Sequence, residues 1–245
     1  MLNKTVSLLA YSFIFLVSLT TLSLAQNGTD CGRIEITQSL SQTITEGLAC
    51  NAQGDIHFQN SFYRVFDLNT LDIQGDFTVC AVEIGIYQAF SPSGSQPITV
   101  NLYTAEPGFP NVSLTQIGTT SIELPDQNMT IVSIPVTGFV PAGSELVVEI
   151  FVPDGQADSN TFFIGTNPDG QTGPSYIQAA DCGAPTPLSI SDFGIPQGYV
   201  MNVIGDDLIE RSVPTLSEWG LIATAGLLGI IGFIVIRKRQ LITNS

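Results

Sequence analysis

Alternation with a period of two runs through the middle of the chain and decides its class. In Glu145–Val152, Leu146, Val148, Ile150 and Val152 fall on one side, with Glu145 and Glu149 on the other. Ile98, Val100 and Leu102 alternate with Thr99, Asn101 and Tyr103; Cys80, Val82, Ile84 and Ile86 share one side, as do Val132, Ile134 and Val136. Successive side chains of a strand point to opposite faces, so each run predicts a strand with one buried face. Further strands are expected at 61–67, 114–118, 161–165 and 198–204. Turn clusters separate them: Ser91-Pro92-Ser93-Gly94, Pro107-Gly108, Pro141-Ala142-Gly143-Ser144, Pro153-Asp154-Gly155 and Pro168-Asp169-Gly170. No stretch of this body sustains a helical period. Eight or more short strands of this kind predict an all-β domain, an antiparallel β-sandwich of jelly-roll type.

The two ends read differently. Lys4 precedes an uncharged run over 7–17, and Ser23-Leu24-Ala25 puts small residues just ahead of Gln26. That is the pattern of a secretory signal peptide over 1–25. At the other end, 219–236 is an 18-residue run without charge. As a helix it reaches about 27 Å, against a hydrocarbon core of about 30 Å. Trp219 marks its outer edge, and Arg237, Lys238 and Arg239 close it as a stop-transfer cluster. Cations concentrate on the cytoplasmic side, so the body is expected outside. The expected order is signal peptide 1–25, exported sandwich 26–204, polar spacer 205–212, and a segment 213–245 holding the transmembrane helix and basic tail.

Ahead of that helix stand Val213, Pro214, Thr215, Leu216, Ser217, Glu218, Trp219 and Gly220. Motif, single apolar helix and terminal cations together resemble the IPTL-CTERM class of bacterial sorting signals, a relative of PEP-CTERM. The resemblance covers 213 to about 240, with Val213 where the pattern has Ile. It implies recognition by an exosortase-type membrane enzyme, cleavage near the motif, and release or transfer to the cell surface. It also implies a bacterium that makes extracellular polysaccharide. Pro214 biases Val213 to the extended backbone a protease reads.

The exported part, 26–212, holds Arg33, Arg64 and Arg211 against 21 acids and no lysine, a net −18. Nothing there neutralises a phosphate backbone, which excludes nucleic acid; such a surface instead attracts divalent cations. Its four cysteines, Cys31, Cys50, Cys80 and Cys182, predict two disulfides after export. Three pairings are open, with Cys31–Cys50 and Cys80–Cys182 the favoured set. A metal role is disfavoured by the lack of C-x-x-C and by the single His57.

Chemistry is sparse. No G-x-S-x-G accompanies His57, which is expected at a surface or strand edge. No acid pair stands out for glycoside hydrolysis. Asp154, Asp158 and Asn160 in one turn offer oxygen ligands for calcium, though without EF-hand spacing; no other cofactor is expected. Tyr63, Phe66, Tyr87, Phe90, Tyr103 and Phe109 either line a sugar-binding face or fill the sandwich. The sequence therefore points to a non-catalytic surface domain for adhesion, matrix association or ligand display. The alternatives are an accessory carbohydrate-binding module and a hydrolase with a site assembled from distant acids. The expected partners are the membrane, an exosortase-type enzyme and extracellular polysaccharide.

Overall fold

The computed structural model describes residues 34–207 and a helix over 216–243. In chain order its strands are β1 (Ile34–Thr37), β2 (Glu46–Leu48), β3 (Asn60–Asp67), β4 (Phe77–Phe90), β5 (Ser95–Ala105), β6 (Thr115–Pro125) and β7 (Gln127–Val140). There follow β8 (Glu145–Val152), β9 (Thr161–Asn167), β10 (Ser175–Ala179), β11 (Ala184–Ser189), β12 (Gly198–Tyr199) and β13 (Met201–Asp207). All ladders are antiparallel. One sheet of six runs β11-β10-β3-β8-β5-β6; the other, of seven, runs β1-β13-β4-β9-β12, with β2 on β9 and β7 on β4.

The alternation places the core. Ile98, Val100, Leu102, Leu146, Val148, Ile150 and Val152 from the six-stranded sheet are fully buried against Val82, Ile84, Ile86, Ile134 and Phe162 from the seven-stranded one. Phe62 bridges the layers, its ring 5.9 Å from Phe162 and 5.7 Å from Tyr199. This is a two-layer sandwich, as the patterning requires. At one side the edge strands β6 and β7 close together: a β-carbon on Gly118 would collide with the Thr137 carbonyl.

Cys80 departs from its expected face. The β4 register shifts between Val79 and Ala81 against β7, and β13 shifts at Ile204 and Gly205 opposite. The extra residue makes a bulge. Val79 therefore takes the buried position, and Cys80 is only partly buried.

The favoured disulfide set is also corrected. Cys50 is bonded to Cys182, with 5.8 Å between their α-carbons. Cys50 follows β2 in the seven-stranded sheet, and Cys182 ends the short 3₁₀ turn between β10 and β11 in the six-stranded sheet. The bridge thus staples one sheet to the other across the sandwich edge. Cys80 is disulfide-bonded too, and no described cysteine is free; Cys31 lies outside the described residues.

Two boundaries move. Gly205, Asp206 and Asp207, expected in the spacer, pair with Val79, Thr78 and Phe77 and complete β13. The C-terminal helix α1 spans Leu216–Thr243, longer at both ends than the 219–236 run. Leu216, Ser217, Glu218, Trp219 and Gly220 of the motif are thus helical; Val213, Pro214 and Thr215 lie outside the described residues. The signal-peptide segment 1–25 lies outside them as well. Among the described residues no helix is long and apolar enough to cross a membrane.

Arg64, on β3, is wholly buried, with no carboxylate partner among the described residues. Its guanidinium donates to Tyr199 O (2.6 Å), Gln38 Oε1 (3.1 Å) and Gly173 O (3.3 Å). Burial pulls its pKa down to about 10, so it remains a cation at neutral pH. It ties β12 and the loop segments at Gln38 and Gly173 to β3.

Candidate functional site

Because side chains alternate, the residues left off the core on the six-stranded sheet form a face of their own. Register aligns one row across all six strands: Ser189, Tyr176, Tyr63, Glu149, Asn101 and Thr119. Every member is polar or a tyrosine. Opposed side chains on one face lie within contact range, so the row is continuous.

Glu149 is its hub and is only 7% exposed. Its Oε1 accepts from Tyr63 Oη at 2.9 Å; its Oε2 accepts from Tyr103 Oη at 2.7 Å and Asn101 Nδ2 at 3.0 Å. Three donors offset the cost of burying a carboxylate without a cation. Burial first, and then the Glu149 carboxylate, push both tyrosine pKa values well above the ordinary phenol range. The phenols therefore stay protonated, donate to Glu149, and keep their own lone pairs as acceptors. Asn101 Oδ1 in turn accepts from Thr119 Oγ1 (2.7 Å) and Gln116 Nε2 (3.3 Å), and Thr99 pairs with Ser121 at 2.8 Å.

An aromatic wall stands beside this network. The β5–β6 connection folds back and places Phe109 4.9 Å from Tyr176 and 5.6 Å from Tyr63, ring centre to ring centre. Val65, Val147, Val112 and Leu114 pack beneath it. Tyr176 also lines an open cleft of about 440 Å³ with Asn111, Thr186, Leu188, Ser189 and Asp192. Hydroxyl, amide and phenol oxygens next to flat apolar rings suit a polyhydroxylated ligand.

The expected aromatics separate. Tyr63, Tyr103 and Phe109 meet here; Phe66 is core; Tyr87 stacks on Phe163 at 6.4 Å, from β4 to β9 in the other sheet; Phe90 stands half exposed. Tyr176 and Glu149 join Tyr63, Tyr103 and Phe109; neither stands out in the sequence as a site residue, although the alternation puts Glu149 off the core. His57 is not at the surface: it is 1% exposed beneath the 153–160 loop. Its Nε2 donates to Pro153 O at 3.0 Å, and its ring edge faces Phe162. A β-carbon on Gly155 would come within 2.5 Å of that ring, so the glycine lets the loop close over it. Burial holds the His57 pKa below its usual value, leaving the ring neutral at pH 7. Asp154 turns back to accept from Gln156 N at 2.8 Å, whereas Asp158 and Asn160 face a different cavity. No group of three or more His, Cys, Asp or Glu among the described residues is placed to hold a metal.

Comparison with known proteins gives one segment-level match. Residues 211–240 carry an IPTL-CTERM motif. No curated protein matches the chain. A solved structure of the cysteine protease and lectin-like domains of Cwp84, a surface layer associated protein of Clostridium difficile, is similar at 12% identity and a TM-score of 0.42. The similarity covers 60% of this chain, which spans about a third (32%) of that one.

Proposed function

We propose that the chain is an exported bacterial surface protein whose six-stranded sheet holds extracellular polysaccharide without catalysing any reaction on it. The observation that carries this reading is the Glu149 network. A buried carboxylate fixes two phenols and an amide beside an aromatic wall, which is a preorganised platform for sugar hydroxyls and apolar ring faces. Adhesion to, or association with, a polysaccharide matrix is the work such a platform does. The IPTL-CTERM motif supports delivery there. In this reading residues 1–25 are removed on export, 219–236 lodges in the inner membrane above Arg237-Lys238-Arg239, and an exosortase-type enzyme cuts near the motif.

Affinity electrophoresis through polysaccharide-loaded gels tests the platform. Wild type is expected to be retarded, and Tyr103→Ala and Tyr176→Ala to lose at least about fivefold in affinity, the ~1 kcal/mol of a truncated contact. Retardation unchanged in both variants sinks the reading. The tail has its own test. Pro214→Ala with Thr215→Ala is expected to leave uncut full-length chain in the inner membrane, because an anchor needs only length and apolarity whereas a sorting substrate needs its motif read. Recovery of an intact C-terminal peptide from wild-type surface protein would leave a plain anchor instead.

A further inference from the structure

We infer that the polysaccharide held by the six-stranded sheet is one without acidic groups, and that Glu149 is the residue that sets this preference. The inference rests on the polysaccharide reading above and adds the class of ligand to it. A carboxylate accepts hydrogen bonds and does not donate them, so Glu149 fixes the direction of the bonds that reach it. Tyr63 and Tyr103 each give it their phenolic proton, and Asn101 turns its Nδ2 towards it. That leaves Asn101 Oδ1 facing β6, where it accepts the hydroxyl proton of Thr119 at 2.7 Å. Tyr103 is partly exposed and Thr119 fully so. Having spent their protons inside the network, both offer a ligand lone pairs alone.

Charge on the same face acts in the same sense. Register puts Asp67 opposite Glu145 and Glu123 opposite Pro97, in phase with Glu149 and Asn101 and so on the outer side. Among the described residues of the domain, 34–207, the only Lys or Arg is Arg64, which is wholly buried and bound to Tyr199 O. A carboxylate or sulfate on a sugar therefore meets charge of its own sign, no cation, and acceptors where it needs donors. A sugar hydroxyl donates to those same lone pairs, while the rings of Tyr176 and Phe109, 4.9 Å apart, take the apolar face of the sugar. Glu149 stands at the centre of the polar row, and its burial keeps salt from screening it as salt screens an exposed acid.

Affinity gels run with the full chain in nonionic detergent test this with matched pairs: hydroxyethyl cellulose against carboxymethyl cellulose, and dextran against carboxymethyl dextran. At about 0.15 M salt the Debye length is about 8 Å, so charges elsewhere on the domain are largely screened. The neutral member of a pair is expected to bind at least about tenfold more tightly than its acidic partner, which brings a like charge beside Glu149. Glu149→Gln removes the charge, and an amide donates as well as accepts. Gln178 Oε1, 3.0 Å from Tyr63 Oη, is in place to take the phenolic proton that the new amide displaces. The ratio of neutral to acidic affinity is expected to fall by at least about threefold in this variant, and any general loss of binding cancels in that ratio. Glu35→Gln, an exposed change on β1 of the other sheet, should leave the ratio as it is. Acidic members bound as tightly as neutral ones by wild type would overturn the inference and leave the polysaccharide reading standing. A ratio unmoved by Glu149→Gln, or moved equally by both variants, would overturn the part given to Glu149. Retardation in none of the gels would sink the polysaccharide reading itself.

Discussion

Replacing Cys182 by serine is expected to lower stability by about 5 kcal/mol, the largest single effect in the molecule. The bond to Cys50 closes a loop with a sequence separation of 132. In the chain-entropy account a closure of that length contributes ~5 kcal/mol, because cutting it frees the unfolded chain far more than the folded one. Here the bridge also joins the end of β2 to the turn after β10, two points on different sheets, so without it that edge is held by packing and by the hydrogen bonds between Cys50 and Asn60. Non-reducing urea titrations measure the change as a lower midpoint. A loss below about 1 kcal/mol would contradict the role assigned to the bridge. Peptide mapping of the native protein should recover Cys50 linked to Cys182, and Cys80 linked to the remaining cysteine, Cys31.

Changing Arg64 to methionine should cost about 3 kcal/mol. Methionine fills the space of the stem, so the change isolates the guanidinium. Two effects oppose each other. Removing an unpaired buried cation relieves desolvation, which the lowered pKa registers. Against that, Gln38 Oε1 loses its donor in the buried interior, at ~1–3 kcal/mol, and the buried charge-assisted bond to Tyr199 O and the half-buried bond to Gly173 O are lost with it. The second effect wins, because the guanidinium sits within 3.3 Å of three acceptors from segments far apart in sequence. Arg64→Lys should not restore stability, since one ammonium cannot span the same fork. A methionine variant as stable as wild type would show that the arginine is tolerated in the core without supporting it.

What the sequence makes legible is each strand taken alone. Leu146, Val148, Ile150 and Val152 alternate with charged and polar neighbours, so their shared buried face follows from a two-residue period. What it hides is everything fixed by pairing. Cys80 fits the apolar phase of β4 on paper, but a bulge at 79–81 shifts it off that face, and bulges leave no mark in hydrophobic alternation. The disulfide partner of Cys50 depends on which strand edges meet, which local spacing does not encode. The candidate site is hidden for the same reason. Tyr63 and Asn101 lie 86 and 48 residues from Glu149, yet each is its direct cross-strand neighbour. The phase of alternation puts all three on the outer side of their strands; only the register makes them adjacent. His57 misleads differently, since its burial comes from a loop that closes over it through Gly155 and not from any strand pattern.

The most direct test of the account is a hydrogen-exchange footprint of the chain with and without the polysaccharide that retards it. Backbone amides exchange more slowly where bound ligand shields or steadies them. Protection is expected on the outer face of the six-stranded sheet, in peptides holding Tyr63, Asn101, Tyr103, Glu149 and Tyr176 and in the 106–114 connection. Exchange in β1, β13 and β7 should be unchanged, because those strands belong to the other sheet. Protection confined to the seven-stranded sheet, or spread evenly over both, would contradict a binding platform organised by Glu149.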